Sequence, residues 1–195
     1  MRRKVIAGNW KMNMLPNEAI EYIQEFEGLV KDTENEVILC VPYTDLFYAL
    51  NCAQGTNIKI GAQNMHWAEN GAYTGEVSGR MLKCIGVEYV IIGHSERRQY
   101  FAETDETVNK KIKAAFENEL KPIVCVGETL EERESGKTAE IITNQTKLAL
   151  EGLTDEQVKN TIIAYEPIWI THRVFIQFLK SLLNTENSTQ ILLIL

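Results

Sequence analysis

The segment 89–98 reads YVIIGHSERR and changes from apolar to polar at Gly93. Its first four residues are aromatic or β-branched, an uninterrupted apolar run that is typical of a strand buried on both faces. The polar half begins with His94, and Ser95 as a cap with Glu96 in the first turn indicates the start of a helix. The segment therefore predicts a buried strand that runs directly into a helix, with His94 at the junction.

Similar apolar runs recur along the chain and alternate with amphipathic stretches. The strand candidates are 4–10, 36–42, 58–64, 88–94, 121–128 and 160–169. Helices are predicted at 16–30, at 104–120 and at 129–152, the last one interrupted at Gly136. This alternation predicts parallel strands with helical crossovers, in either a doubly wound open sheet or a (β/α)₈ barrel. No GxGxxG motif follows the first strand, which weakens the dinucleotide-binding form of the open sheet.

The overall composition narrows the class of protein. The 195 residues are enough for one sizeable domain, and the net charge of −7 argues against a nucleic-acid or anionic-membrane surface. The four cysteines (Cys40, Cys52, Cys84 and Cys125) lack CxxC or metal-ligand spacing, and three of them lie in apolar segments as reduced packing residues. With no secretory leader and no membrane-length apolar run, we expect a soluble, cytoplasmic, single-domain protein.

Polar side chains collect where the predicted strands end. They are Asn9 and Lys11 after the first strand, then Asn64, His94, Glu128 and Glu166 after later ones. Because the active sites of parallel α/β proteins lie at the carboxyl ends of the strands, we expect these groups on one rim. A carboxylate base with cationic or hydrogen-bonding stabilisation of an oxyanion suits proton abstraction next to a carbonyl, which requires no metal and no cofactor.

Each of these side chains also has an ordinary structural interpretation. Lys11 alone would be a solvated cation at a strand end, and a lone histidine such as His94 is usually a satisfied structural residue. Glu166 could be a carboxylate paired with a neighbour. The motifs gain weight only when they are taken together.

In this order and at this spacing, the motifs resemble those of the triosephosphate isomerases. The resemblance is carried by AGNWKMN (7–13), GAQNMHW (61–67), GAYTGEVS (71–78), YVIIGHSERR (89–98), PIVCVGETLEERE (122–134) and AYEPIW (164–169). It implies a (β/α)₈ barrel, of which about six βα units are visible. It also implies interconversion of dihydroxyacetone phosphate and D-glyceraldehyde 3-phosphate in glycolysis and gluconeogenesis.

The resemblance assigns roles to individual residues. Glu166 matches the general base and His94 the neutral electrophile, a pairing for which the triosephosphate isomerases are themselves the standard example. Lys11 matches the cation that stabilises the enediolate, and Asn9 a neighbouring substrate contact. Two supporting residues complete the match, Glu96 as a carboxylate near the lysine and Cys125 as a packing residue beside the base.

The segment 63–78 is a candidate interface loop. Gly71 and Gly75 are turn residues, so by itself the segment could be a compact surface loop. The resemblance implies that this loop reaches into a neighbouring subunit, with Thr74 in its tip region. A homodimer is therefore expected.

The resemblance ends after Trp169. The family pattern calls for a Gly/Thr-rich lid and two more βα units, but residues 171–195 read THRVFIQFLKSLLNTENSTQILLIL and contain no Gly, Pro, Ala or Asp. We therefore divide the chain into barrel units at 1–170 and an aberrant tail at 171–195. The tail is either a genuine variation or, as we prefer, the product of a frameshift.

The altered tail predicts low or absent isomerase activity and a tendency to aggregate, because six strands leave open sheet edges and the lid would be missing. Two alternatives stay open. One is a non-catalytic remnant that associates with an intact isomerase subunit. The other is a different sugar-phosphate enzyme on the same barrel.

Overall fold

The computed structural model describes residues 4–166, which form one curled sheet of six parallel strands with helices on its outer side. The strands are β1 (Val5–Asn9), β2 (Glu36–Val41), β3 (Ile58–Ala62), β4 (Tyr89–Ile92), β5 (Lys121–Val126) and β6 (Ile162–Tyr165). Their order in the sheet is their order in the chain, and every neighbouring pair is parallel. In a doubly wound sheet the order of the strands reverses at an inner strand, so this sequential order favours the barrel.

All six predicted strands are present, each shorter than its apolar run. The helices are α1 (Pro16–Val30), α2 (Leu46–Cys52), α3 (Gly79–Ile85), α4 (Ser95–Tyr100), α5 (Asp105–Glu117), α6 (Leu130–Glu134), α7 (Thr138–Ala149) and α8 (Asp155–Asn160). The helix predicted at 16–30 is confirmed, and the break predicted at Gly136 separates α6 from α7.

The end of the described chain differs from the prediction in detail. The sequence predicts that the last helix extends to Gly152, but α7 ends at Ala149. It is followed by α8, a helix that the sequence did not predict. Strand β6 consequently begins at Ile162. The boundary predicted at residue 170, the tail at 171–195 and the last part of the 160–169 strand lie outside the described residues.

Two apolar clusters explain why the strands are apolar on both faces. Alternate residues point to the concave side of the sheet and form one cluster, which comprises Val5, Ala7, Ile38, Cys40, Tyr89, Ile91, Ile123, Cys125, Ile162 and Ala164. The intervening residues, among them Leu39, Val90 and Val124, pack under the helices in a second cluster. Burial on both faces replaces the alternating pattern of a half-exposed strand with a continuous apolar run.

Gly61 marks the tightest point of the concave side. A β-carbon at this position would lie 2.8 Å from Sγ of Cys40 and 3.2 Å from Cβ of Tyr89. Because Gly61 has no side chain, strand β3 can pass close to its neighbours at this position. Burial raises the pKa of the Cys40 thiol to about 12, as expected for an unreactive packing residue.

The predicted character of the cysteines is confirmed in part. All four are free thiols, and Cys40 and Cys125 are buried, whereas Cys52 is half-buried and Cys84 is exposed. Within residues 4–166, no helix has the length and apolar character needed to cross a membrane.

Candidate active site

His94 lies between β4 and α4, where its side chain caps the helix. Its Nδ1 accepts a hydrogen bond from the backbone N–H of Glu96 at 3.2 Å. The predicted cap, Ser95, is wrong: Ser95 is already the first helical residue, and His94 takes the capping position by accepting the N–H of Glu96. With Nδ1 acting as an acceptor, a neutral imidazole carries its proton on Nε2.

Glu166 directly follows β6 and faces His94. Its N–H donates to the carbonyl of Val126 at 2.8 Å, which extends the ladder between β5 and β6 to the catalytic candidate. Its Oε1 lies 2.9 Å from Nε2 of His94, yet the alignment is not that of a hydrogen bond, and Nε2 has no hydrogen-bond partner among the described residues. The imidazole N–H is therefore buried next to the carboxylate and available to a substrate.

Cys125 lies beneath this pair, as the resemblance implied. The buried thiol interacts with the carboxylate of Glu166, and its pKa is raised well above the usual value, first by burial and then by the neighbouring negative charge. A neutral thiol packs against the base without competing for its charge.

Lys11 is held in a left-handed backbone conformation, with φ at +52°. Its N–H donates to Oδ1 of Asn9 at 3.0 Å, and its carbonyl accepts from Nε2 of Gln63 at 2.9 Å. Its ammonium lies 3.2 Å from Oε1 of Glu96 and is half-exposed, so it can reach a substrate anion. The structure thus brings Asn9, Lys11 and Glu96 together beside His94.

Gln63 is a site residue that the sequence did not single out. Besides the Lys11 carbonyl, its amide also donates to the carbonyl of Cys40 at 3.1 Å, so it ties the first rim segment to β2. The only signal was its place in the GAQN segment after β3. A side chain whose work is to hold backbone carbonyls leaves no distinctive chemical pattern.

Glu128 lies shortly after β5, where it was predicted, and it is fully buried. Both of its carboxylate oxygens accept from the hydroxyl of Tyr165, at 2.9 Å and 3.0 Å. The pKa of Tyr165 is raised to about 12 by burial and by this carboxylate. Because Tyr165 directly precedes Glu166, the contact anchors the strand end that carries the base.

Asn64 is also buried, and it belongs to a charged network below the site. Its Oδ1 accepts from Nζ of Lys111 at 2.8 Å, and the same ammonium lies 2.6 Å from Oε2 of Glu103. Glu103 additionally accepts from Nε of Arg97 at 3.0 Å. Burial works to raise the pKa of Glu103, but the two cations outweigh it and the pKa is lowered.

A cleft of about 630 Å³ opens above these groups. Its lining includes Asn9, Lys11, Gln63, His94 and Glu96. The wall of the cleft thus contains the Lys11 ammonium and the His94 imidazole, and the partly exposed carboxylate of Glu166 lies next to that imidazole. This arrangement can remove a proton next to a carbonyl and stabilise the resulting oxyanion.

The 63–78 loop is ordered by contacts of its own. The ring of His66 stacks on Trp67 and lies 4.2 Å from the ring of Tyr73, while the backbone N–H of His66 donates to the carbonyl of Val77 at 2.8 Å. Thr74 is exposed and lines a second cleft of about 380 Å³.

Comparisons with known proteins identify one family. Residues 4–171 match the family model described as triosephosphate isomerase. The triosephosphate isomerase of Acetivibrio thermocellus is 62% identical over 170 residues, which cover 87% of this chain and 68% of that protein. The enzyme of Clostridium botulinum is 57% identical over 169 residues, with the same coverage.

A solved structure shows the same architecture. The crystal structure of triosephosphate isomerase from Bartonella henselae superposes with a TM-score of 0.79 at 40% identity, covering 92% of this chain and 73% of that one. The sequential parallel sheet and the extent of the family match lead to one conclusion: the chain belongs to the triosephosphate isomerase family, whose members are aldose–ketose isomerases.

Proposed function

We propose that the cleft binds a triose phosphate and interconverts dihydroxyacetone phosphate and D-glyceraldehyde 3-phosphate, in the cytoplasm. The observation that carries the proposal is the pairing of Glu166 with the buried His94, whose facing atoms are 2.9 Å apart while Nε2 has no hydrogen-bond partner among the described residues. A carboxylate and an imidazole N–H placed this way can act on adjacent atoms of one small substrate.

The proton transfer follows from the positions of these groups. The Glu166 carboxylate removes a proton from the carbon next to the carbonyl, and the electron pair of the broken C–H bond moves to the carbonyl oxygen. The Nε2–H of His94 and the ammonium of Lys11 stabilise the enediolate that forms. Glu166 then returns the proton to the former carbonyl carbon, while the hydroxyl proton on the first carbon moves to the former carbonyl oxygen and a carbonyl forms on the first carbon. The sum of the steps is an isomerisation without any change in composition.

The remaining site residues support these three groups. Asn9 fixes the backbone of Lys11 and contributes a polar atom next to the substrate. Glu96 holds the lysine ammonium, and Cys125 packs beneath the base. Asn9, Glu96 and Cys125 do not have to exchange a proton with the substrate.

We further propose that this chain alone has low turnover. Residues 172–195 lie beyond the family match and lack the Gly/Thr-rich composition of the expected lid. A site without such a lid loses binding energy that would lower the barrier, and water can reach the enediolate. Phosphate elimination should then compete with isomerisation.

The test is an assay of the purified chain with dihydroxyacetone phosphate, alongside the Acetivibrio relative. We expect turnover about 10³-fold or more below that relative, together with a higher ratio of phosphate release to isomerisation. Glu166→Gln should lower the residual proton exchange by about 10²-fold or more, whereas Glu156→Gln on α8 should leave it unchanged. Turnover comparable to the relative would contradict the low-activity proposal.

A second candidate function is a non-catalytic subunit that associates with an intact isomerase through residues 63–78. It is favoured by the exposed aromatic side chains near the loop, which are Trp67, Tyr73, Tyr100 and Phe101. The same loop could join two copies of this chain into a homodimer. Co-purification with an intact isomerase, combined with no activity of the chain alone, would select the associating role.

A further inference from the structure

The peptide of Gly93, directly before His94, is held from both sides. Its N–H donates to Oε1 of the buried Glu103 at 2.9 Å. Its carbonyl accepts from Nε of Arg98 at 2.9 Å. Gly93 has a φ of +78°, so it forms the bend through which β4 turns into the residue that caps α4.

Arg98 connects this bend to the next helix. While Nε binds the Gly93 carbonyl, NH1 lies 2.6 Å from Oδ1 of Asp105, the first residue of α5. A planar guanidinium can bind two acceptors in fixed directions at once, which a lysine ammonium on its flexible stem does less well. The carbonyl of Gly93 is thereby fixed relative to α5 as well as to its own strand.

The guanidinium also limits the space around Gly93. A β-carbon on Gly93 would lie 3.2 Å from NH2 of Arg98 and 3.2 Å from the carbonyl of Cys125. The bend is therefore enclosed between Arg98 and the strand that carries Cys125. Little freedom is left for the peptide that sets the direction of the His94 side chain.

The third nitrogen of Arg98 indicates that stability alone does not explain this arrangement. NH2 is buried and has no hydrogen-bond partner among residues 4–166. A buried donor without an acceptor destabilises the folded state relative to a donor that water can reach. The guanidinium of Arg98 therefore costs stability at NH2, while its Nε fixes the Gly93 carbonyl.

We propose that Arg98 is a positioning residue of the active site, which holds the Gly93 carbonyl so that the His94 ring keeps Nδ1 on the Glu96 N–H and Nε2 toward the substrate. The proposal rests on the role proposed above for His94. It predicts that loss of the Arg98 guanidinium releases the imidazole while the fold remains.

The test observes the imidazole directly and does not depend on activity. The chain is labelled with ¹⁵N-histidine, and proton–nitrogen correlation spectra are recorded for its three histidines. In the unmodified chain, His94 should show an unprotonated Nδ1 and a protonated Nε2. His66 serves as an internal control, because its Nδ1 accepts from the backbone N–H of Ala68 at 3.0 Å, far along the chain from Gly93.

In Arg98→Met we expect the two His94 nitrogen signals to move toward the averaged positions of a ring that exchanges tautomers, with the His66 signals unchanged. Arg97→Met is the matched control. Arg97 lies on the same helix, is similarly buried and also pairs with a carboxylate, but it does not contact Gly93. Because Lys111 still holds Glu103 in that variant, the His94 signals should stay in place.

If Arg98→Met does not fold, Arg98→Lys tests the positioning role of Arg98. A lysine can pair with Asp105 but cannot reach the Gly93 carbonyl in the same geometry, so we expect a folded chain with a partly shifted His94 spectrum. Unchanged His94 signals in a folded Arg98 variant, or equal shifts in the Arg97 and Arg98 variants, would overturn the proposal. The expected spectra in a chain whose residual proton exchange does not depend on Glu166 would count against the proposed function alone.

Discussion

Among single residues, the two nitrogens of His94 show how local surroundings give one side chain a direction. Nδ1 is occupied by a backbone N–H of the helix that the residue caps, while Nε2 faces Glu166. Lys11 is treated differently, since its backbone is fixed and its ammonium is half-exposed. A fixed donor and an adjustable cation suit a reaction in which charge appears on one oxygen while the anionic end of the substrate has to enter and leave.

Asp45 is a second residue whose surroundings have a measurable effect. It is fully buried before α2, its Oδ1 accepts from the hydroxyl of Thr44 at 3.2 Å, and Oδ2 has no hydrogen-bond partner among the described residues. Burial raises the pKa of this carboxyl. Because the folded state then binds the proton more tightly than the unfolded state does, the contribution of Asp45 to stability becomes less favourable as pH rises from its unfolded pKa, about 3.9, through the raised folded value.

We therefore expect Asp45→Asn to raise the melting temperature more at pH 7 than near pH 4. Thermal unfolding of both proteins across this range measures the difference. Asp155→Asn is the control, since Asp155 is exposed in the first turn of α8 and should show no such gain. A gain that is the same at both pH values would show that Asp45 carries no buried charge.

Among the elements, the turns that end strands and helices depend on glycines in the left-handed region. Gly136 has a φ of +74° between α6 and α7, and a β-carbon there would meet nothing within 4 Å. Gly93 has nearly the same φ, but a β-carbon there would lie 3.1 Å from Val108 and 3.2 Å from two other groups. The two positions separate the backbone effect from the packing effect.

Gly136→Ala should lower the free energy of unfolding by about 1 kcal/mol, the cost of a left-handed alanine. Gly93→Ala should lower it by about 2–4 kcal/mol, because steric overlap adds to the same backbone cost. Urea denaturation of the two variants measures both values. Equal losses would mean that the Gly93 surroundings relax without cost.

In the whole molecule, a curled sheet with sequential strand order brings distant residues to one edge. Asn9 ends β1 and Lys11 follows it, His94 follows β4 and Glu166 follows β6, and all lie at the carboxyl ends of their strands. The face around the 63–78 loop carries the second cleft, which Thr74 lines. That surface is where we expect a second subunit to bind.

Thr74→Arg should weaken self-association through this loop, since a long cation would have to be buried against the partner. Sedimentation of the chain at several concentrations measures the dimer dissociation constant, which we expect to rise about tenfold or more. Thr143→Arg makes the same chemical change on the exposed surface of α7 and should leave the constant unaltered. Equal behaviour of the two variants would remove the loop from the interface.

Most of the fold could be predicted from local sequence. The buried strands are recognisable as apolar runs. Pro16 indicates the start of α1, and a glycine between two amphipathic stretches indicates the break at Gly136. The short helices α2, α3 and α8 were missed, because six or seven residues carry too little periodicity to be recognised. The residues proposed for the chemistry were recognised by resemblance, and the structure places them together without testing their roles.

By itself, the sequence determined the alternation of buried strands and helices, the polar residues at the strand ends and the family. These features are local, since burial on both faces and helix periodicity are written into neighbouring residues. Only the tertiary structure decided that His94 rather than Ser95 caps α4, that Glu128 is buried on Tyr165, and that Gln63 and Arg98 hold backbone carbonyls of the site. Those contacts join groups by direction and distance in space, and most of them link different elements of the fold.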